Sequence, residues 1–202
     1  MRNAIVKLLA PMVMVVAASL FAGLVQAAEV GDDGLHKEDW FSETFRDIRE
    51  DMATAKAEGK RLAIIFEQRG CIYCKKLHET VLSDPEVRDY IRDHYMIVQY
   101  NMFGDVEVTD LDGEQLSEKS AARKWRIVYT PTIMFFPEDA TDEKASADRA
   151  AVEIMPGAFG KWTTLNMFKW VVEKGYEGEE HFQKYHARKI EEARKEGKIL
   201  SE

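Results

Sequence analysis

The spacing of apolar positions changes along this chain, and each change marks a different structural element. From Phe41 to Ala55 apolar residues recur every three or four positions, which predicts a helix, and Gly59 follows as its C-terminal stop. Residues 62–66 (Leu-Ala-Ile-Ile-Phe) are apolar at successive positions, a pattern typical of a central strand covered on both faces. Helical spacing resumes over residues 71–81, so the chain passes from strand to helix within a few residues.

A second helix and a second strand follow directly. Ser83-Asp84-Pro85-Glu86 combines a capping side chain with proline at the first helical position, which predicts the start of a new helix. Residues 95–100 form the next predicted strand. Because the connection between the two strands contains helix, we expect the strands to be parallel and the crossover to be right-handed.

The rest of the chain divides by the same two spacings. They predict a polar loop over 101–113, a short helix over 117–125, a strand over 132–136, an exposed acidic loop over 137–149, a strand over 150–155 and a helix over 162–171. The alternation of strands with helices indicates an α/β protein.

Beyond Gly178 the chain becomes densely charged. Opposite charges four residues apart, such as Glu180 and Lys184, suit an exposed helix, whose thin apolar side is formed by Phe182, Tyr185 and Ile190. Two interpretations stay open at this point. The segment is either a solvated helix stabilised by such pairs or a helix that docks a partner.

The first 27 residues have the pattern of a signal peptide. Arg2 and Lys7 precede an apolar run over residues 8–25, and Val25-Gln26-Ala27 places small side chains where a signal peptidase reads, so we expect cleavage before Ala28. The run is also about as long as the shortest membrane spans, so an uncleaved anchor is the alternative. Export implies an oxidising compartment, and we expect the periplasm.

The overall charge excludes one class of partner. The chain has a formal charge of −8, and removal of the leader, which carries two bases and no acid, takes it to −10. Nucleic-acid binding needs basic clusters for phosphate contacts, and none occurs, so we expect no nucleic-acid partner. About 175 residues remain, which suits one domain with a sizeable core.

Cys71 and Cys74 are the only cysteines in the sequence, and they lie two residues apart at the start of a predicted helix. A helix N-terminus favours negative charge and therefore favours the thiolate, which is the reactive form of cysteine. A disulfide across two intervening residues closes too small a loop to stabilise the fold much. The spacing indicates thiol–disulfide exchange, with Cys71 and Cys74 as the catalytic residues.

Three segments resemble the thioredoxin-like family: residues 70–76 around the cysteines, residues 83–87, and Tyr129-Thr130-Pro131-Thr132. The chain looks most like exported thioredoxin-like proteins related to the C-terminal domain of DsbD and to SoxW. The resemblance implies a thioredoxin-like fold, with a central mixed β-sheet flanked by helices and an extra C-terminal helix. It also implies that Pro131 follows a cis peptide bond and faces the dithiol.

The resemblance sets the expected domain boundaries, because it extends over roughly residues 43–175. We expect a signal peptide over 1–27, an irregular lead-in over 28–42, a thioredoxin-like domain over 43–176 and a charged C-terminal helix over 177–202. The lead-in is therefore placed outside the domain.

The sequence departs from the thioredoxin pattern at positions that concern proton handling. Thioredoxins bury an aspartate six residues before the first cysteine, and Ile65 occupies that position here. Glu67, at the end of the same strand, either substitutes for it or points to solvent. His78 lies one turn after Cys74, where it either tunes the dithiol or is an ordinary surface histidine.

The residues suggest a two-step exchange. Cys71 attacks a target disulfide as a thiolate, and Cys74 then attacks Cys71 and releases the reduced target. Arg69 and the helix dipole are expected to lower the pKa of Cys71. Thr130 and Pro131 would lie opposite and bind an extended stretch of substrate through its backbone.

The expected direction of exchange rests on what the sequence lacks. Oxidants of the DsbA type insert a large helical domain before the cis-proline, and only about thirty residues separate Tyr100 from Pro131. Isomerases of the DsbC type add an N-terminal dimerisation domain, for which residues 28–42 are too short. We expect a reductant of disulfides in exported proteins that receives electrons from a membrane protein of the DsbD or CcdA type. An oxidant of DsbA-like direction is the alternative.

Two other classes of function compete with exchange. Cys71, Cys74 and His78 supply three metal ligands, but a closed zinc site takes four, and the sequence has no second cysteine pair. Lys75 rather than histidine follows Cys74, which excludes haem attachment. A redox-inactive binding module that kept the fold is the other competitor, and the intact dithiol argues against it. We expect no cofactor and no metal.

Overall fold

The computed structural model describes residues 29–139 and 144–198, so the predicted signal peptide lies outside the described residues. The strands are β1 (Glu29–Val30), β2 (His36–Lys37), β3 (Arg61–Glu67), β4 (Tyr95–Asn101), β5 (Glu107–Thr109), β6 (Gln115–Ser117), β7 (Thr132–Phe135) and β8 (Glu153–Pro156). The helices are α1 (Ile48–Ala57), α2 (Ile72–Leu77), α3 (Pro85–His94), α4 (Glu118–Lys124), α5 (Ala147–Ala150), α6 (Lys161–Val172) and α7 (Phe182–Lys195), with a π-helical turn over His78–Leu82 and a 3-10 turn over Gly175–Glu177. Within the described ranges no helix has the length and apolar character to cross a membrane.

A four-stranded mixed sheet in the order β4-β3-β7-β8 forms the centre of the fold. Strands β3 and β4 are parallel, as predicted, whereas β7 is antiparallel to both β3 and β8. The register places Thr132, the first residue of β7, beside Phe66 and Pro156. The loops after β3, β4 and β8 and the loop before β7 therefore leave the sheet at one edge. We call it the dithiol edge, because Cys71 and Cys74 follow β3.

Strand β3 is the central strand predicted from its apolar run, and all seven of its residues are buried. Its side chains alternate between two apolar clusters. Leu62, Ile64 and Phe66 pack with α1 and α4, and Ala63 and Ile65 pack with α2, α3 and α6. Burial of a large apolar side chain stabilises the fold by about 1.5–3 kcal/mol. The predicted mixed sheet flanked by helices, with an extra C-terminal helix, is confirmed.

Two predicted helix boundaries are confirmed by their capping geometry. The Asp84 carboxylate accepts hydrogen bonds from the backbone N–H groups of Glu86 and Val87, which satisfies donors that the first turn of α3 leaves without helical partners. Gly59 follows α1 with a φ of 70°, a conformation that residues with a Cβ atom disfavour.

Helix α1 begins later than the apolar spacing predicts. The Asp47 carboxylate accepts hydrogen bonds from two N–H groups of the first turn, which sets the start of the helix at Ile48. Phe41 packs against the core from irregular backbone, and Phe45 is 95% exposed. The predicted helix over 41–47 is therefore wrong, because these aromatic residues match helical spacing without belonging to the helix.

Three segments predicted as irregular contain short elements. The lead-in forms the β1–β2 hairpin with Leu35 buried. The polar loop over 101–113 contains β5, which pairs with β6, and the acidic loop contains α5 with Ala147 buried. Each of these segments is mostly polar, so its few buried residues form no period that reveals an element. Strand β8 likewise begins at Glu153 rather than at residue 150.

Helix α7 docks on the domain through its thin apolar side. Tyr185 and Ala193 are buried, and the Trp170 indole N–H of α6 donates to the Glu180 carbonyl just before the helix. The outer face carries ion pairs centred on Arg188. The helix is therefore solvated on its outer face, while its apolar side is covered by the domain itself rather than left for a partner.

We expect Tyr185→Ala to lower the free energy of unfolding by about 3 kcal/mol, because it empties a buried aromatic site between α7 and α6. Lys184→Ala, at the exposed position before it, is the matched control and should change that free energy by less than about 0.5 kcal/mol. Chemical denaturation followed by circular dichroism measures both values. Equal effects of the two substitutions would show that α7 is not docked.

Candidate active site

The two cysteines form a disulfide at the start of α2, on the dithiol edge. Gly70 turns the chain out of the strand with a φ of 72°, and Cys71 is the N-cap residue of α2. The Cys71 Sγ accepts a hydrogen bond from the Cys74 backbone N–H at 3.0 Å. Cys71 is 7% exposed and Cys74 is 1% exposed, so Cys71 is the more accessible residue of the pair.

Thr130 and Pro131 face the disulfide from the loop before β7. The Thr130–Pro131 peptide bond is cis, and the Thr130 carbonyl oxygen lies 3.6 Å from Cys71 Sγ. The Thr130 hydroxyl donates to the same sulfur at 3.4 Å. The Pro131 carbonyl accepts a hydrogen bond from the Gly157 N–H at 2.7 Å, which ties this loop to the end of β8. The structure therefore brings both cysteines together with Thr130 and Pro131.

Glu67 and His78 form a buried pair next to the cysteines. Glu67 is fully buried at the end of β3, and His78 is 1% exposed. The His78 Nε2 atom lies 2.9 Å from Glu67 Oε1. His78 begins the π-helical turn that continues α2, one turn beyond Cys74. The two solvent-facing interpretations, Glu67 at an exposed strand end and His78 as a surface histidine, are therefore wrong.

Glu67 is a buried acid close to position 65, where thioredoxins have a buried aspartate and this chain has Ile65. Side chains two residues apart on a strand share a face, so Glu67 lies on the face of Ile65, two residues closer to the dithiol edge. Its second oxygen, Oε2, accepts a hydrogen bond from the Gln99 amide at 2.8 Å. Both carboxyl oxygens of Glu67 therefore have hydrogen-bond partners.

Glu38 completes the site from the amino-terminal segment, and sequence reasoning missed it. Its Oε1 atom lies 2.8 Å from His78 Nδ1, a contact between residues 40 positions apart. Gln99, on β4, joins Glu67 to the Lys37 ammonium group. A glutamine within an apolar strand is the one signal that could have indicated a buried polar partner.

The His78 ring is held in its charged form. Burial lowers its pKa, but the hydrogen bonds to Glu38 and Glu67, together with their charges, outweigh burial and raise the pKa of His78 to about 9. Both ring nitrogens then donate, each to one carboxylate. The site therefore holds a buried cation between two carboxylates, one helical turn from Cys74.

Arg69 is exposed, and its guanidinium group contacts the β1–β2 hairpin. The Nε atom lies 3.4 Å from the Asp33 carbonyl oxygen, and Nη2 lies 3.4 Å from the Asp32 carbonyl oxygen. Its side chain lies against Gly34, where a Cβ atom would collide with it. The described hydrogen bonds of Arg69 go to the hairpin and not to Cys71, and its effect on the pKa of Cys71 stays a prediction.

The three side chains considered as metal ligands, those of Cys71, Cys74 and His78, are bonded to other groups. Cys71 and Cys74 are bonded to each other, and both ring nitrogens of His78 meet carboxylates. In the part of the chain that the structure describes, no three His, Cys, Asp or Glu side chains are grouped to hold a metal ion. In this disulfide state the three residues therefore offer no ligand set.

The central part of the chain matches a known protein family. Residues 48–146 match the family model described as Thioredoxin-like domain. This range contains β3, the cysteine motif, β4 and β7, whereas β8 lies beyond it. No curated protein matches the chain at a significant level.

Solved structures of low sequence identity are also similar to the chain. A thioredoxin-fold protein from Helicobacter pylori is 20% identical, and the match covers 66% of this chain and 86% of the Helicobacter pylori chain, with a TM-score of 0.49. A thioredoxin from Thermus thermophilus is 24% identical, and the match covers 63% of this chain and 85% of the thioredoxin, with a TM-score of 0.49. The reduced DsbD C-terminal domain from Neisseria meningitidis is 14% identical, and the match covers 61% of this chain and 93% of the DsbD domain, with a TM-score of 0.42.

The charged state of His78 makes the stability of the fold depend on pH. Because its pKa is raised from 6.5 to about 9 on folding, the stabilisation is fully present below about pH 6.5 and is lost as the pH rises through about 9. We expect a loss on the order of 3 kcal/mol in the free energy of unfolding between about pH 6 and about pH 10.

His78→Gln is the comparison that isolates this contribution, since other groups titrate over the same range in both proteins. Its free energy of unfolding should fall far less between the two pH values. Denaturant unfolding with the disulfide intact measures both proteins, and parallel declines would contradict a buried His78 cation.

Proposed function

We propose, since this chain carries a domain of the thioredoxin-like family, that it is a thiol–disulfide oxidoreductase which reduces disulfides in exported proteins. One observation carries the proposal. The Cys71–Cys74 disulfide lies at the dithiol edge, with the Thr130 carbonyl and hydroxyl oxygens within 3.6 Å of Cys71 Sγ. The pair can cycle between dithiol and disulfide without a cofactor.

The reduced dithiol reacts in two steps. The Cys71 thiolate attacks one sulfur of the target disulfide, a Cys71–target bond forms, and the other target sulfur leaves as a thiolate with the electron pair. Cys74 then loses its proton to solvent and attacks Cys71 Sγ, and the Cys71–target bond breaks to release the second target thiolate. The target has gained two electrons and takes up two protons from solvent, and the protein is left with the Cys71–Cys74 disulfide.

Thr130 and Pro131 are proposed to bind the target as an added strand. Their loop lies beside Cys71, so an extended target segment that pairs with it would bring its disulfide to that sulfur. Pairing of backbone with backbone tolerates varied side chains. Exposed apolar residues in the first turn of α2 and in the loop before β7 offer further contact area, namely Ile72, Tyr73, Val128 and Tyr129.

Three further side chains are proposed to tune the cysteines. The His78 cation lies one turn from Cys74 and favours its thiolate, as a positive charge near a thiol does. Glu67 holds that cation in place. Arg69, two residues before Cys71, adds positive charge on the exposed side of the site.

Reduction rather than oxidation is the proposed direction. Between β4 and β7 the chain forms β5, β6 and the seven-residue α4, which is too little for a large inserted helical domain. A reductant in an oxidising compartment has to be re-reduced, so a membrane protein of the DsbD or CcdA type is the proposed electron donor.

Export to the periplasm through a leader over residues 1–27 belongs to the same proposal. N-terminal sequencing of the chain from a periplasmic extract should then begin at Ala28. A periplasmic chain that keeps residues 1–27 would contradict cleavage, and a chain confined to the cytoplasm would contradict export.

The mature protein should accelerate the reduction of insulin disulfides by dithiothreitol. Cys71→Ser should remove this activity, because the attacking sulfur is gone. Cys74→Ser should leave the protein joined to its target through Cys71, because the second step is blocked. Turbidity of the released insulin chain and non-reducing gels measure the two effects.

Lys76→Ser, at an exposed position of α2, is the matched control and should keep the activity of the wild-type protein. Activity that survives Cys71→Ser would contradict the mechanism. A wild-type rate no faster than that of dithiothreitol alone would contradict the proposed function itself.

A further inference from the structure

The amino-terminal segment is fastened to the sheet beside the dithiol edge at several points. The Lys37 Nζ atom lies 2.8 Å from Gln99 Oε1, and the Gln99 amide donates to the His36 carbonyl at 2.7 Å. The Ser42 N–H donates to the Ile97 carbonyl at 2.7 Å. The segment therefore lies against β4, which is an edge strand of the sheet, and it forms one wall of the site.

This segment brings Glu38 into the site. The Glu38 carboxylate meets His78 Nδ1 at 2.8 Å, while Glu67 meets Nε2 at 2.9 Å. The imidazole is thus held at both nitrogens, and its ring cannot turn without breaking a hydrogen bond. The rings of His36 and Phe41 pack near it, with centroids at 5.5 Å and 5.8 Å.

We propose that Glu38 is a positioning residue for the reaction of Cys74, which acts by holding the His78 ring charged and in one orientation next to the dithiol. This inference rests on the proposed function, because it concerns the step in which Cys74 attacks as a thiolate. It also moves the expected start of the domain from residue 43 to a position before Glu38, since a domain that began at residue 43 would lack part of its own site.

The buried cation needs both carboxylates. Burial penalises the charged form of His78, and an unpaired buried charge costs several kcal/mol. The titratable groups that face the ring are Glu38, Glu67 and His36, and Cys74 precedes it on its own helix. Without Glu38 a single carboxylate has to outweigh burial, so His78 should lose its proton at a lower pH.

The charge on His78 acts on Cys74 because residues one helical turn apart have Cβ atoms about 5–6 Å from each other. A cation near a thiol favours the thiolate. The direct effect of the Glu38 charge on Cys74 is the same at every pH at which Glu38 is ionised. Its effect through His78, in contrast, changes with the protonation of the ring, so the pH dependence of Cys74 attack separates the two.

The test compares Glu38→Gln with Asp39→Asn. Glutamine keeps the size of the side chain and an oxygen that accepts from His78 Nδ1, but it removes the charge. Asp39 is the exposed neighbour, and its substitution removes the same charge outside the buried cluster.

Two readouts are measured in each protein. One is the NMR titration of the His78 ring. The other is the rate at which Cys74 releases glutathione from a mixed disulfide of Cys71 with glutathione.

The wild-type and Asp39→Asn proteins should keep the signals of a charged His78 ring up to about pH 8, in line with a pKa of about 9. In Glu38→Gln the ring should titrate near neutral pH. Its glutathione-release rate should fall relative to wild type by up to about tenfold at about pH 8 and much less at about pH 6, following the same titration.

An unchanged His78 titration in Glu38→Gln would overturn the inference. So would an equal loss of rate at both pH values, which is the result of a merely structural role. Glutathione release needs only the dithiol, so failure to reduce insulin would refute the proposed function and leave this test intact. A wild-type protein that releases no glutathione would overturn the inference directly, because Cys74 would then not attack Cys71.

Discussion

A histidine cation buried between two carboxylates is the interaction on which the arrangement of this site depends. A charge removed from water costs several kcal/mol unless opposite charges and hydrogen bonds surround it. Glu38 and Glu67 supply those partners for His78, and Gln99 pairs with the second oxygen of Glu67. Lys37 in turn holds the oxygen of Gln99. The buried charge thus accounts for a glutamine in an apolar strand and for a hairpin fastened over the sheet.

The mixed sheet explains how segments far apart in the chain meet at one edge. Parallel β3 and β4 end together, so the cysteine loop and the loop after β4 emerge side by side, and the Met102 N–H donates to the Glu67 carbonyl at 2.8 Å. Antiparallel β7 begins where β3 ends, which delivers Thr130 to Cys71. Cys71 and the loop that faces it therefore meet at this edge, and the buried Glu67–His78 pair lies next to them.

Patterns in the sequence predicted the features that local physics decides. The apolar run of β3, the Asp84 cap of α3 and the two cysteines at the start of α2 all lie where the sequence places them. The aromatic residues Phe41 and Phe45 misled the helix prediction, because spacing alone does not show where a helix starts and the Asp47 cap does. The candidate cysteines and their facing loop were thus predictable, whereas the charge cluster was not.

The charge cluster escaped prediction because burial of a polar side chain depends on partners from other parts of the chain. Glu67 ends its strand, and His78 lies on a helix shortly after the exposed Lys75 and Lys76, so each resembles a surface residue when only its neighbours in sequence are considered. Their buried state is set by Glu38, which lies 40 positions before His78, and by Gln99 on the neighbouring strand. No spacing rule joins positions so far apart.

The reduction potential of the Cys71–Cys74 couple tests a reductive role most directly. It is measured by equilibrating the purified mature protein with glutathione buffers of known composition and determining the fraction of dithiol. A reductant that is supplied with electrons through the membrane predicts a value near that of thioredoxin, about −270 mV. A value near that of DsbA, about −120 mV, would contradict this role and would make the protein a donor of disulfides.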